Sequence, residues 1–124
     1  MDNKEVNRMY VNILFPNAHN IFQSTRLYLA ITDQQKLGGS ALALAMRLRR
    51  SGVVVEIDST HQSLKSQFRR AYKGEFTHVA VFGANEMETG MLTVRRVADG
   101  KEFTGSTTDL SDILAMLAAK YDQE

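Results

Sequence analysis

"HVAVFGANEMETGMLTVRRVADGKEF" (residues 78–103) contains two kinds of β-structure in one run, and the change between them decides the fold. Residues 78–82 are short, apolar and rich in valine, the composition of a strand buried on both faces. After the polar turn "GANEMETG", the segments "MLTVRRV" and "KEFTG" flank "ADG". Asp99-Gly100 is a strong turn signal, so this half reads as an antiparallel hairpin. The run also sets two acids, Glu86 and Glu88, before a strand and two bases, Arg95 and Arg96, at its end. Such charges are either a surface salt bridge or a pair of groups offered to a polar ligand.

Toward the N-terminus the pattern is a strand–helix alternation. "RLYLAI" (26–31) reads as a strand, with Leu27, Leu29 and Ile31 on one face. Thr32, with Gln35 three residues later, predicts a capping box for the helix that follows. In that helix Leu37, Ala41, Leu44, Ala45 and Leu48 form one apolar stripe, the pattern of a helix packed on a sheet. "VVVEID" (53–58) reads as an inner strand. "SLKSQFRRAYKG" (63–74) is a second amphipathic helix, with Leu64, Phe68, Ala71 and Tyr72 facing inward. Strand, helix, strand, helix, strand at this spacing implies right-handed crossovers and a parallel core. A last helix over "LSDILAMLAAKY" is expected to be capped by Asp109 or Ser111 and carries the stripe Leu110, Ile113, Leu114, Leu117 and Tyr121. The expected architecture is α/β: a five-stranded mixed sheet, parallel core plus C-terminal antiparallel hairpin, with three helices. Phe68, Met46 and Met116 are expected in the core and not as stacking platforms. Residues 1–25 read as an appendage or linker, with "YVNILF" (10–15) as a strand stopped by Pro16, and residues 26–124 as the domain.

The 124 residues are one domain's worth. Without cysteine there is no disulfide, thiolate metal site or cysteine nucleophile. No apolar run reaches the roughly 20 residues of a membrane span, and the acids of the first residues make a poor secretory signal, so a cytoplasmic protein is expected. Between Arg47 and Lys101 ten bases face six acids, a surplus of four in a chain whose net charge is +1. That asymmetry favours a polyanionic partner, although solvated helix faces give the same count.

Catalytic signals are weak. His19, His61 and His78 lack metal-ligand spacing, and His78, opening a buried strand, is expected to be packed. Gly38-Gly39 with Asp58 some twenty residues on imitates part of a dinucleotide site, but there is no G-x-G-x-x-G and no P-loop. No cofactor and no metal are expected. What remains is a polar rim where parallel strands end, carrying "TDQQ", "DSTHQ" and "GANEMETG", with Lys65 and Gln67 beside them. Such a rim suits recognition rather than reaction.

From Arg26 to about Leu117 the chain resembles the anticodon-binding domain of class IIa aminoacyl-tRNA synthetases, in particular the histidyl enzyme. The resemblance rests on "LYLAI", "ALALAMRLRRSGVVVEID", "SLKSQFRRA" and "HVAVFGANEMETGMLTVRRVADGKEF", in that order. It implies a module that grips the tRNA anticodon loop, whose splayed bases are read at their edges. It also implies that Glu86, of a G-x-x-E turn, and Arg95, nine residues later, reach anticodon bases. Lys65 and Gln67 would face the same loop, while Arg69, Arg70 and Arg96 would add phosphate attraction. The chain departs from many relatives at Gly83-Ala84 and Ala71-Tyr72. Without the arginine-bearing motifs that bind ATP it is expected to be non-catalytic by itself, either the tail of a histidyl-tRNA synthetase or a free-standing homologue. The partners implied are tRNA, tRNA-His in the first place, and a synthetase catalytic domain in cis or in trans, with a homodimer left open and no membrane expected. The alternatives are an RNA-free interaction, dimerisation or regulatory domain on the same fold, and a small-molecule or nucleotide binder.

Overall fold

The computed structural model describes residue 22 and residues 24–58 and 60–119. The strand expected at 10–15, the loop after it and Tyr121 lie outside the described residues.

Five strands form one sheet: β1 (Arg26–Ile31), β2 (Val54–Ile57), β3 (His78–Phe82), β4 (Met91–Arg96) and β5 (Glu102–Ser106). Their order is β2-β1-β3-β4-β5. The first three are parallel, and β4 and β5 join antiparallel, as the change of pattern after Phe82 requires. Helices α1 (Gln34–Arg50) and α2 (Leu64–Lys73) make the two crossovers, and α4 (Ser111–Ala118) ends the domain. The crossovers run in opposite directions, from β1 out to β2 and from β2 back past β1 to β3. Crossovers of one hand therefore put α1 and α2 on opposite faces.

Two apolar layers result. Leu27, Leu29, Ile31, Ala80, Phe82, Leu92 and Val94 point to the face covered by α1 and α4. Tyr28, Ala30 and Val79 point to the face where α2 packs through Ala71, Leu64 and Phe68. On the first face α4 lies tight against β5, since a Cβ at Gly105 would come within 2.7 Å of the Ile113 side chain. On the second face no described helix covers β4 and β5, and Met91, Thr93, Arg95, Glu102 and Thr104 are exposed there.

Several expectations change. Tyr72, expected to face inward, is exposed, and the N-cap of α4 is Leu110, without a side-chain cap bond, in place of Asp109 or Ser111. The cap of α1 is Asp33, whose side chain accepts the Lys36 N–H at 3.1 Å, in place of Thr32. β2 is an edge strand rather than an inner one, because β3 returns to the far side of β1. A fourth described helix, α3 (Ala84–Thr89), occupies the expected turn; its six residues lack the apolar stripe that announces longer helices. It stops at Gly90, in the left-handed region with φ 71°, a conformation glycine adopts without steric cost. Met46 and Met116, expected in the core, are 47% and 45% exposed.

Candidate functional site

A cavity of about 300 Å³ opens between α2 and the uncovered half of the sheet. Val79 and Val81 of β3 and Thr93 and Arg95 of β4 make its floor, Phe68 and Tyr72 its wall, with Glu102 and Glu86 at its margins. α2 runs antiparallel to β3, so its first turn lies toward the Glu86 end, and Tyr72 lies toward the end where Val79 pairs with Arg95. At 100° per residue, Lys65 and Arg69 stand on the solvent side of Phe68 and Tyr72, and both are exposed.

Glu86 is placed by the helix it begins. At the third position of α3, its Oε1 accepts the Gly83 N–H at 2.8 Å, satisfying a donor that helix geometry leaves open. Among the described residues Oε2 accepts nothing, so one lone-pair set stays available in a fixed direction. Arg95 Nη1 lies 3.6 Å from Glu102 Oε2, with both side chains about half exposed. That is beyond good hydrogen-bond length, and exposed pairs of this kind contribute about 0–1 kcal/mol. Arg95 pairs across the strands with Glu102, not with Glu86, and both Glu86 and Arg95 remain open to the cavity.

The other flank of α2 holds a second cavity, of about 350 Å³, lined by Tyr28, Glu56, Asp58, Gln62, Ser66 and Arg70 among others. Its charged groups are already matched. Arg70 forks onto Glu56 at 2.8 and 3.0 Å and lies over the Phe76 ring. Asp58 accepts from the Thr60 N–H, the Thr60 hydroxyl and the Gln62 N–H. Burial pulls its carboxyl upward, but these bonds outweigh it and hold the group below the usual carboxylate range. The Tyr28 hydroxyl is pushed up to about 12, by burial first and then by the charges of Asp58 and Glu56. With its guanidinium already forked onto a carboxylate, this flank is a poor seat for phosphate.

The predicted residues therefore divide. Glu86, Arg95, Lys65 and Arg69 gather around the first cavity. Gln67 does not: it is 2% exposed, and its amide takes the Ile31 N–H and gives to the Ile31 carbonyl, both at 2.8 Å. The β1–β2 pairing ends at Leu29 and Ile57, and the Gln67 amide continues the ladder where β2 stops. Arg70 is held by Glu56 on the second flank. Arg96 points to the opposite sheet face from Arg95, because neighbouring strand residues alternate; its side chain is 13% exposed and pairs with Asp99 at 3.0 Å. The same face holds His78, buried and bonded to Thr77 Oγ1 at 2.8 Å. Burial, then the charge of Arg96, lowers its pKa to about 4.

The site is also displaced from the expected crown of loops. "TDQQ" caps α1, and Asp58, Thr60 and Gln62 line the second cavity, so among the expected loops it is "GANEMETG" that joins the candidate site, which lies along the sheet face. Gly38 and Gly39 sit inside α1 and Asp58 is saturated, which leaves the dinucleotide imitation without a phosphate cradle. Sequence reasoning missed Tyr72, Phe68, Thr93 and Glu102 as lining residues. Signals existed: Met91, Thr93 and Arg95 alternate with the apolar Leu92 and Val94, and Phe68 and Tyr72 are one turn apart.

The sequence profile described as "Anticodon binding domain" matches residues 23–117. The chain belongs to that family. As an anticodon-binding domain it is 37% identical over 78 residues to the histidine–tRNA ligase of Lactobacillus delbrueckii subsp. bulgaricus, covering 63% of this chain and 18% of that protein. Against the histidine–tRNA ligase of Clostridium kluyveri it is 35% identical over 89 residues, 71% of this chain and 21% of that protein. The chain thus spans about a fifth of the length of these curated relatives. Two solved structures share the fold. The apo histidyl-tRNA synthetase of S. aureus matches with TM-score 0.64 and 21% identity, over 73% of this chain and 26% of that one. The RNA binding domain of threonyl-tRNA synthetase from Cryptosporidium parvum matches with TM-score 0.65 and 14% identity, over 77% and 23%. No described helix of this anticodon-binding domain is long and apolar enough to cross a membrane.

Proposed function

We propose that this domain recognises the anticodon loop of a tRNA, tRNA-His in particular, and presents it to a synthetase catalytic domain in cis or in trans. The observation that supports this reading is the meeting of Glu86 and Arg95 at one cavity between α2 and the open sheet face. A carboxylate with one committed oxygen accepts an N–H from a base edge, and a guanidinium donates to a base oxygen, ring nitrogen or phosphate. Unstacked bases display such edges in single-stranded loops. Lys65 and Arg69 on the rim supply attraction that is blind to sequence. The domain contributes binding and register, and chemistry belongs to the partner domain.

The test is calorimetric titration of the chain with anticodon stem-loops. Binding to the tRNA-His stem-loop in the roughly micromolar range, weakening steeply with salt, is expected of a small module with few phosphate contacts. Equal affinity for every stem-loop would remove anticodon selection. Absence of any binding at low salt, with a tight homodimer in sedimentation, would instead favour the interaction-domain reading.

A further inference from the structure

We infer that Tyr72, backed by Phe68, is a stacking shelf that holds an unstacked nucleobase at the Arg95 end of the cavity; this rests on the anticodon reading above. Tyr72 is 47% exposed, although its helix has an inward stripe in Leu64, Gln67 and Ala71 that it could have extended. Among the described residues its hydroxyl has no hydrogen-bond partner. The ring leans on Phe68, with centroids 6.4 Å apart and planes at 44°. Phe68 therefore steadies one side of Tyr72 and leaves the rest of the ring to the cavity both residues line. Beneath them the β3 part of the floor, Val79 and Val81, is apolar, while Thr93 and Arg95 on the neighbouring strand and Glu102 and Glu86 at the margins supply hydrogen-bonding groups beside it. Apolar surface beneath and beside a ligand, with polar groups at its edge, is what a flat heterocycle needs. Its faces avoid water and its rim finds partners. About 300 Å³ is at the small end of ligand pockets, room for one base rather than a nucleotide chain. The flanking phosphates stay outside, where Lys65 and Arg69 stand. Stacking is tolerant of base identity because every base has a π-face. Tyr72 therefore adds affinity, and Glu86 and Arg95 add choice.

The experiment compares the full chain with its Tyr72→Ala, Tyr72→Phe and Tyr72→Trp variants. Each is titrated with the tRNA-His anticodon stem-loop and with versions carrying one abasic anticodon position at a time. Tyr72→Ala should weaken the intact stem-loop about five- to a hundredfold, with the thermal midpoint little changed because the side chain is half exposed. Tyr72→Phe and Tyr72→Trp should bind within about twofold of the wild type, since the ring and not the hydroxyl carries the effect. For one abasic position the wild type and Tyr72→Ala should bind alike, which identifies the stacked base. The shelf is overturned if Tyr72→Ala binds the intact stem-loop as the wild type does, or if its loss persists at every abasic position. If Glu86→Ala still loses base discrimination in that case, the anticodon reading stands without the shelf. A wild type that binds no stem-loop overturns both.

Discussion

The two flanks of α2 are built from similar residue types and have opposite availability. On the β2 side, Arg70 is satisfied by Glu56, and Asp58 by Thr60 and Gln62 of its own loop. On the β4 side, Glu86 has one oxygen committed and Arg95 has a loose, exposed counter-ion at 3.6 Å. The distinction is not how many charges each flank carries but how many hydrogen bonds remain to be made. A polar group already paired gains little from a ligand, while one held in place with spare capacity gains the full charge-assisted bond.

The largest effect should come from breaking the closed side. Gln67→Leu fills similar volume but strands the buried Ile31 N–H and carbonyl, so denaturant unfolding should show a loss of about 2–5 kcal/mol. If Gln67 were an anticodon contact instead, the same change would leave stability alone and damage binding. His78 tests the covered sheet face. Its folded pKa of about 4 lies below the ordinary 6.5, so between these values the unfolded chain binds more protons and stability must rise with pH. The contribution, present above about pH 6.5 and lost on descending toward 4, is on the order of 3 kcal/mol. Denaturant midpoints measured across that range should show the slope, and His78→Asn should flatten it.

On the open side, Glu86→Ala should narrow the affinity gap between cognate and non-cognate stem-loops about tenfold, the scale of one well-made base contact. It should leave the salt dependence unchanged. The smallest effect sharpens the comparison most. Lys65→Ala and Arg69→Ala should each weaken all stem-loops a few-fold and lower the salt slope by about one phosphate contact. Arg70→Ala should do neither. A salt slope that falls for Arg70→Ala as much as for Lys65→Ala would erase the difference between the flanks.

Much of the fold was legible because periodicity reports burial. The stripe Leu37, Ala41, Leu44, Ala45 and Leu48 is the buried set of α1, and "RLYLAI" is β1 residue for residue. The edge position of β2 was hidden, because Val53 and Val55 are buried by α1 as thoroughly as an inner strand would be. Of the candidate site, Glu86 and Arg95 could be paired by a family spacing, but Tyr72 could not be separated from the inward stripe. It lies 40° around the helix from Phe68, and helical period alone does not say where the neighbouring sheet stops being covered.

Arg95 and Arg96 show the division in two adjacent residues. Local sequence determined that they leave the strand on opposite faces, since that follows from the pleat, just as the order of strands and helices follows from runs of two and 3.6. Only the tertiary structure decided that one face is covered by α4 and the other is open. Likewise, nothing near Gln67 in the chain reveals that its partner is Ile31, 36 positions away. Patterning depends on neighbours along the chain. The spare bonding capacity that makes a binding site depends on neighbours in space.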